Sequence, residues 1–305
     1  MVPILGTIAS SFDNTVAPRA LIMGGFRDNI STIVNVVDYV DISTTGNATD
    51  FGDLSSVRYG FGGCGSSTRA ITGGGVNTSS FSNSNIIEYF TIASIGNGTN
   101  FGNLTYSAGS QGAASNSTRG IFQGGYDGSN YKNNIDYITI ATTGNATNFG
   151  ILATGRANAA GCASPTRALI GGGDENGSSN RIEYLTIDTT GNTTDFGDLT
   201  VARNTPSACS SSVRGVWGGG SSGNVIDYVT IASTGNAIDF GDLTVNKNAP
   251  SATSSSTRGI FSGGLGTIDV IDYITINSTG NATDFGDLTV ARGWTASSSS
   301  VHGGL

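Results

Sequence analysis

Histidine occurs once in the 305 residues, at His302, and glutamate three times, at Glu88, Glu175 and Glu183. A metal site built on two or more histidines is therefore excluded. A Ser-His-Asp triad would have to be built on His302 alone, close to the C-terminus, although such triads need a buried, oriented imidazole. Charged residues make up only 12% of the chain, and leucine, lysine and glutamine are scarce, which argues against a helical protein. There are three cysteines, an odd number for a disulfide framework. No apolar run approaches the roughly 18–20 residues of a membrane-spanning helix, so no membrane insertion is expected. The opening Met1-Val2-Pro3-Ile4-Leu5-Gly6 lacks the basic start and long apolar core of a secretory signal. The net charge of −8, with a pI near 4.4, repels phosphate backbones and excludes nucleic acid as an expected partner.

What is abundant is glycine, 47 of them, with Ser, Thr and Asn, and an apolar complement of Ile, Val, Tyr and Phe that favours strands. Such a composition would suit disorder, were the apolar residues not so regularly placed. A Gly-Asn pair recurs at Gly46, Gly96, Gly144, Gly191, Gly235 and Gly280, at spacings of 44–50 residues. A Phe-Gly or Phe-Gly-Asp run follows at Phe51, Phe101, Phe149, Phe196, Phe240 and Phe285. An acid-Tyr pair precedes it: Asp38-Tyr39, Glu88-Tyr89, Asp136-Tyr137, Glu183-Tyr184, Asp227-Tyr228 and Asp272-Tyr273. One Arg marks the other half of each unit: Arg19, Arg69, Arg119, Arg167, Arg214 and Arg258. Six strand-rich repeats of this length indicate a β-propeller.

Each unit divides into four strand-like pieces. In the third these are Arg119 to Gly125, Asn134 to Ile140, a short piece near Phe149, and the small-residue stretch Asn158 to Ser164. The small-residue piece suits the crowded position nearest the axis. The Ile-Asp-Tyr-Ile-Thr-Ile piece is apolar on both faces and suits a middle strand between blades. The chain ends on another inner-strand pattern, Trp294 to Ser300, with His302 at the position of the repeat Arg. An all-β, six-bladed ring over residues 19–305, closed by the C-terminal strand joining blade 1, leaves no free edge. Residues 1–18 are expected to form an arm or docking segment.

The Gly pairs after an apolar strand (Gly24-Gly25, Gly124-Gly125, Gly263-Gly264), the Tyr of the next strand and the Arg before the inner strand (Arg156, Arg203, Arg292) resemble kelch-repeat and galactose-oxidase-like propellers. The position where that family often has Trp holds Phe149 and its equivalents, and the copper site of galactose oxidase cannot be built here. The Ile-Asp-Tyr…Gly-Asn-Ala-Thr-Asp-Phe-Gly-Asp-Leu variant resembles repeats in structural proteins of marine tailed phages, as does the opening Pro3 to Ser11. The resemblance implies a non-enzymatic virion protein of a tail, fibre or capsid, extracellular on the particle. Its implied partners are neighbouring virion proteins, met through residues 1–17 or one propeller face in a multimeric assembly, and a host-surface glycan or protein. The alternative is a cellular lectin-like or adhesion propeller.

Strand alternation puts the Gly-Asn and Ser-Thr-Arg turns on one face. The loops after the Gly pairs lie on the other, where they differ between units. Variable loops on a regular scaffold carry recognition, so the candidate binding residues are Phe26, Arg27, Phe81, Tyr126, Tyr131, Lys132, Asp174 and Glu175. No cofactor, metal or catalytic residue is expected. Cys64, Cys162 and Cys209 share a column with Ala114, Thr253 and Ser297 and read as buried inner-strand packing. Gly60 to Gly65 matches G-x-G-x-x-G without a following helix and carries no phosphate site. The Asp50/Asp53 type of pair reads as turn capping rather than Ca²⁺ ligation, since two units have Asn or Ile there. The repeat Arg is expected beside the Asp of its own blade's turn. The acid of the acid-Tyr pair is expected to meet Arg58, Arg156, Arg203, Lys247 or Arg292. Asn47, Asn145, Asn192 and Asn281 begin Asn-x-Thr triplets that follow from the repeat itself.

Overall fold

The computed structural model describes residues 17–77 and 82–305. Six four-stranded antiparallel sheets form, and their innermost strands touch one another in cyclic order, blade 1 to blade 6 and back. Blade 3 is typical, with an inner strand Gly112–Ser115, a second strand Arg119–Gln123, a third strand Asn134–Thr139 and an outer strand Thr147–Ile151. Blade 1 takes its inner strand, Ala296–Ser299, from the far end of the chain and pairs it with Arg19–Arg27 in the register Ala20 to Ser299 and Met23 to Ala296. The ring is therefore closed by hydrogen bonds between sheet strands, and each of the six blades has its inner strand.

The hydrophobic core is six layers, one in each gap between blades. The layer between blades 1 and 2 joins Leu21, Met23, Val37 and Phe51 to Phe61, Phe90 and Ile92. A third strand feeds two layers at once: Ile135 faces blade 4 and Ile138 faces blade 2. This is why that strand reads as apolar on both faces.

Three devices tie each blade to the next, and each is written into the repeat. First, the Gly-Asn turn of one blade docks on the outer strand of the blade before it. At the seam, Gly46 N–H donates to Phe285 O at 2.8 Å and Ala48 N–H to Asp287 O at 2.7 Å. Asn47 Oδ1 accepts the Asp287 N–H at 3.1 Å. The same Asn oxygen works at Asn97, Asn145, Asn192, Asn236 and Asn281. The Gly of Phe-Gly permits this approach: a Cβ on Gly286, whose φ is +147°, would lie 2.4 Å from Gly46 O. Capping thus falls to the Asn of the turn and not to the paired Asp residues.

Second, the repeat Arg does not pair with its blade's turn Asp. In all six blades its guanidinium lies over the Tyr of the same blade, 4.4–4.8 Å from the ring centroid. That Tyr meets the Phe edge-on at 5.8–6.1 Å. The same Arg donates to a carbonyl of the following blade, from Arg19 to Ile92 O at 2.9 Å round to Arg258 and Ile42 O at 3.1 Å. Stacking on a π face satisfies the charge while leaving an N–H free to cross the gap.

Third, the acid of the acid-Tyr pair is fully buried and meets a cation carried on the connection entering its blade. The pairs are Arg58–Glu88, Arg156–Glu183 at 3.6 Å, Arg203–Asp227, Lys247–Asp272 at 3.4 Å and Arg292–Asp38 at 2.9 Å. Blade 3 departs from this. Ala108 stands where the cation should, and Tyr106 reaches over to donate its hydroxyl to Gly124 O at 2.9 Å, a carbonyl that a guanidinium takes in other blades. Asp136 keeps only Thr105, which donates from N–H at 2.7 Å and Oγ1 at 2.8 Å. Burial, with no cation to offset it, pushes the Asp136 carboxyl above the ordinary carboxylate range.

The three cysteines are buried and unpaired, and burial pushes the thiols up, Cys162 to about 12. Each thiol faces a glycine of the next blade: Cys64 to Gly120, Cys162 to Gly215 and Cys209 to Gly259, where an added Cβ would come within 2.6–3.0 Å of sulfur. Where the facing residue is Ala114, Thr253 or Ser297, the corresponding position holds alanine, at Ala168, Ala20 and Ala70.

Candidate recognition face

Antiparallel alternation separates the ends of the strands into a turn face and a loop face. The turn face carries the Gly-Asn latches and the Arg-Tyr-Phe stacks, all nearly identical between blades. The loop face carries three columns, of which the first and third hold six different residues and the middle one repeats only Gly and Asn. Just after the Gly pair stand Phe26, Val76, Tyr126, Asp174, Ser221 and Leu265. Paired with them through backbone hydrogen bonds are Gly293, Tyr59, Gly109, Ala157, Asn204 and Asn248. Next to these, around the mouth of the central channel, come Trp294, Gly60, Ser110, Asn158, Thr205 and Ala249.

All six residues of this last column have a left-handed backbone, with φ between +54° and +61°. The conformation is set by the sharp entry into the inner strand. Backbone bonds run from blade to blade through it, including Gly60 N–H to Trp294 O at 2.9 Å and Asn158 N–H to Ser110 O at 2.8 Å. Glycine and asparagine adopt it readily, whereas Ser, Thr, Ala and Trp pay about 1–2 kcal/mol each for their Cβ. Retention of four such side chains at strained positions marks the mouth as a place where side chains matter.

Trp294 continues into a row of rings. Tyr59 meets it at 6.3 Å and Phe26 meets Tyr59 at 5.6 Å, both centroid to centroid. Of these three only Phe26 was expected as a site residue. The sequence places Trp294 with the inner strand, and Tyr59 carries no repeat signature. Their signal was legible as disagreement between copies at aligned positions. Arg27 lies beside Phe26, half-buried, with its Nε unpartnered. Phe81 lies outside the described residues.

The remaining expected residues meet between blades 3 and 4. Tyr126 and Tyr131 face each other at 5.2 Å with a 51° tilt. With Ser129, Asn130, Gly155 and Asn176 they line an open groove of about 450 Å³. Tyr131 titrates above an ordinary phenol, from burial first and from the adjacent Asp174 carboxylate second. Lys132 is held by Asp127 at 3.3 Å, which closes its own loop and keeps the ammonium from the groove's ring pair. Glu175 is drawn back into blade 4, accepting from Ser179 Oγ at 3.0 Å with Arg181 3.9 Å away. Asp174 Oδ1 accepts the Gly177 N–H at 2.9 Å and fixes that loop. Two tyrosine rings among amides and hydroxyls bind by stacking and hydrogen bonding.

No protein-family model matches this chain, and no curated protein matches it. The reading of the site therefore stands on its geometry.

At the opposite end the channel is closed. Residues 301–305 cross it, with His302 Nε2 donating to Gly65 O at 2.9 Å and Nδ1 accepting the Gly304 N–H at 3.2 Å. Burial lowers the imidazole pKa. His302 is thus a cap on the channel floor and not the start of a further repeat. Among the described residues, no group of three or more His, Cys, Asp or Glu side chains is placed to hold a metal ion, and no helix is long and apolar enough to cross a membrane.

Proposed function

We propose that this chain is a non-enzymatic attachment module, a kelch-like propeller displayed on a phage tail, fibre or capsid, that binds a host surface or a neighbouring virion protein through its loop face. The observation that carries the binding face is the segregation of variation: the turn face repeats itself, and the three ringed columns of the loop face do not. Five of the six buried acids are spent on ion pairs and the six repeat arginines on inter-blade bonds, so the repeated charged groups act as scaffold. The virion setting is supported by the resemblance of the repeat and of Pro3 to Ser11 to marine tailed-phage proteins.

Mass spectrometry of purified particles tests the setting, with peptides of this chain expected at fixed stoichiometry; their absence overturns it. Cell-surface adhesion of the purified ring tests the face. Tyr126→Ala and Tyr131→Ala are expected to weaken it, whereas Ile95→Ala on the turn face is not, and the reverse pattern overturns the assignment. The chemistry of the Tyr126–Tyr131 groove also favours a second reading, a cellular lectin-like propeller. A glycan array positive for discrete sugars, with no peptides in particles, would select it.

A further inference from the structure

We infer that the mouth of the central channel is a binding site for a neutral pyranose, the terminal unit of a glycan, stacked on Trp294. The inference rests on the loop face being the recognition face, but it concerns a site separate from the Tyr126–Tyr131 groove.

Trp294 occupies a backbone position that glycine fills without strain in blade 2, at Gly60. The fold gains nothing from an indole there, since serine, alanine and threonine enter the inner strand with the same φ. Tyr59 and Phe26 brace the ring in a row that leads outward from the axis. The rest of the mouth is uncharged: Ser110, Gln111, Asn158 and Thr205 supply the polar groups, and Pro206 and Pro250 the apolar rim. Asn158 Oδ1 at the mouth is buried without a hydrogen-bond partner, while the Gln111 amide packs back against Gly74. The Asn158 acceptor and the Ser110 hydroxyl beside a fixed aromatic ring match a sugar, whose C–H face stacks and whose hydroxyls bond. Among the described residues lining the mouth none is a cation that could hold an anion. Below the mouth the channel runs between small inner-strand residues to the floor capped by His302. Entry is therefore from the loop face only, and end-on.

Saturation-transfer NMR with neutral methyl hexopyranosides tests the site, using the whole chain. Saturable transfer to at least one sugar is expected. Trp294→Gly is expected to abolish it while leaving the thermal midpoint unchanged or raised, because glycine relieves the left-handed strain. Trp294→Phe should retain binding weakened by about tenfold or less, and Tyr126→Ala should leave it intact. Three outcomes overturn the proposal: no saturable transfer to any neutral methyl hexoside, binding that survives Trp294→Gly, or tetramethylammonium bound in preference to every sugar. Adhesion lost in Tyr126→Ala but kept in Trp294→Gly sinks the mouth site and spares the face. Adhesion indifferent to both sinks the face as well.

Discussion

Asn47 joins the two ends of the ring: its side-chain oxygen accepts the Asp287 N–H at 3.1 Å, across 240 residues of chain. Five sister asparagines make the same bond between neighbouring blades, but this one also reinforces the seam where Ala296–Ser299 completes blade 1. The latch is exposed, so Asn47→Ala should cost only about 1 kcal/mol. Gly286→Ala should cost more than about 2 kcal/mol, because its Cβ would enter the Gly46 carbonyl and its φ disfavours a side chain. Urea unfolding of both variants checks the order; equal costs would show that the close approach is not tight.

Cys209 and Gly259 divide one volume between two blades. Gly259→Ala alone overpacks the gap, by about 1–3 kcal/mol. Cys209→Ala alone opens it, by about 1–2 kcal/mol. The double variant should recover at least about 1 kcal/mol relative to the sum. Additivity in the cycle would refute the pairing of thiol and glycine.

Asp136 and Asp227 share a column and should respond oppositely to neutralisation. Asp227→Asn strands the buried Arg203 and should cost about 3–5 kcal/mol. Asp136→Asn removes a buried charge that has no cation and should be neutral or stabilising at pH 7. The Asp136 carboxyl is raised in the fold, so the folded state holds its proton more tightly than the unfolded chain does. Its contribution therefore favours folding in acid and is lost as pH rises from the ordinary carboxylate range through the raised value. The advantage of Asp136→Asn should accordingly grow with pH, as denaturation midpoints at pH 4 and pH 7 would reveal.

Lys247 is the one lysine in a column of arginines, and burial pushes its ammonium down to about 8 against an ordinary 10.5. Between those values the unfolded chain binds the proton and the folded chain does not, so this group makes stability rise with pH across that window. Lys247→Arg should remove that slope and retain the Asp272 pair. A slope that persists in the variant would place its origin elsewhere.

Much of the fold was legible because the repeat aligns with itself. Six copies of acid-Tyr, Gly-Asn and Phe-Gly give the blade count, the strand order and the two faces. The closing strand followed from one inner-strand pattern beyond the sixth copy. The five ion pairs were also legible, since the acid always precedes the repeat Tyr and the cation always follows the repeat Phe, each in its own column. Locality does not carry over to the ring: the sequence alone places the repeat Arg beside its own blade's Asp and the Asp pair as caps of its own turn. In the ring, that Arg donates to a carbonyl of the following blade, and the turn's anchor is the outer strand of the preceding one.

The sequence by itself determined the architecture, because burying two-sided apolar strands of a six-fold repeat has one compact solution. Only the tertiary structure decided the site. The left-handed column from Gly60 to Trp294 becomes a collar only when closure brings six separated residues to one axis. The ring of Trp294, distant in sequence from Tyr59 and Phe26, joins them only because the last strand is also the first blade's inner strand. Periodicity fixes what every blade shares, and the closed ring sets the residues that differ beside one another.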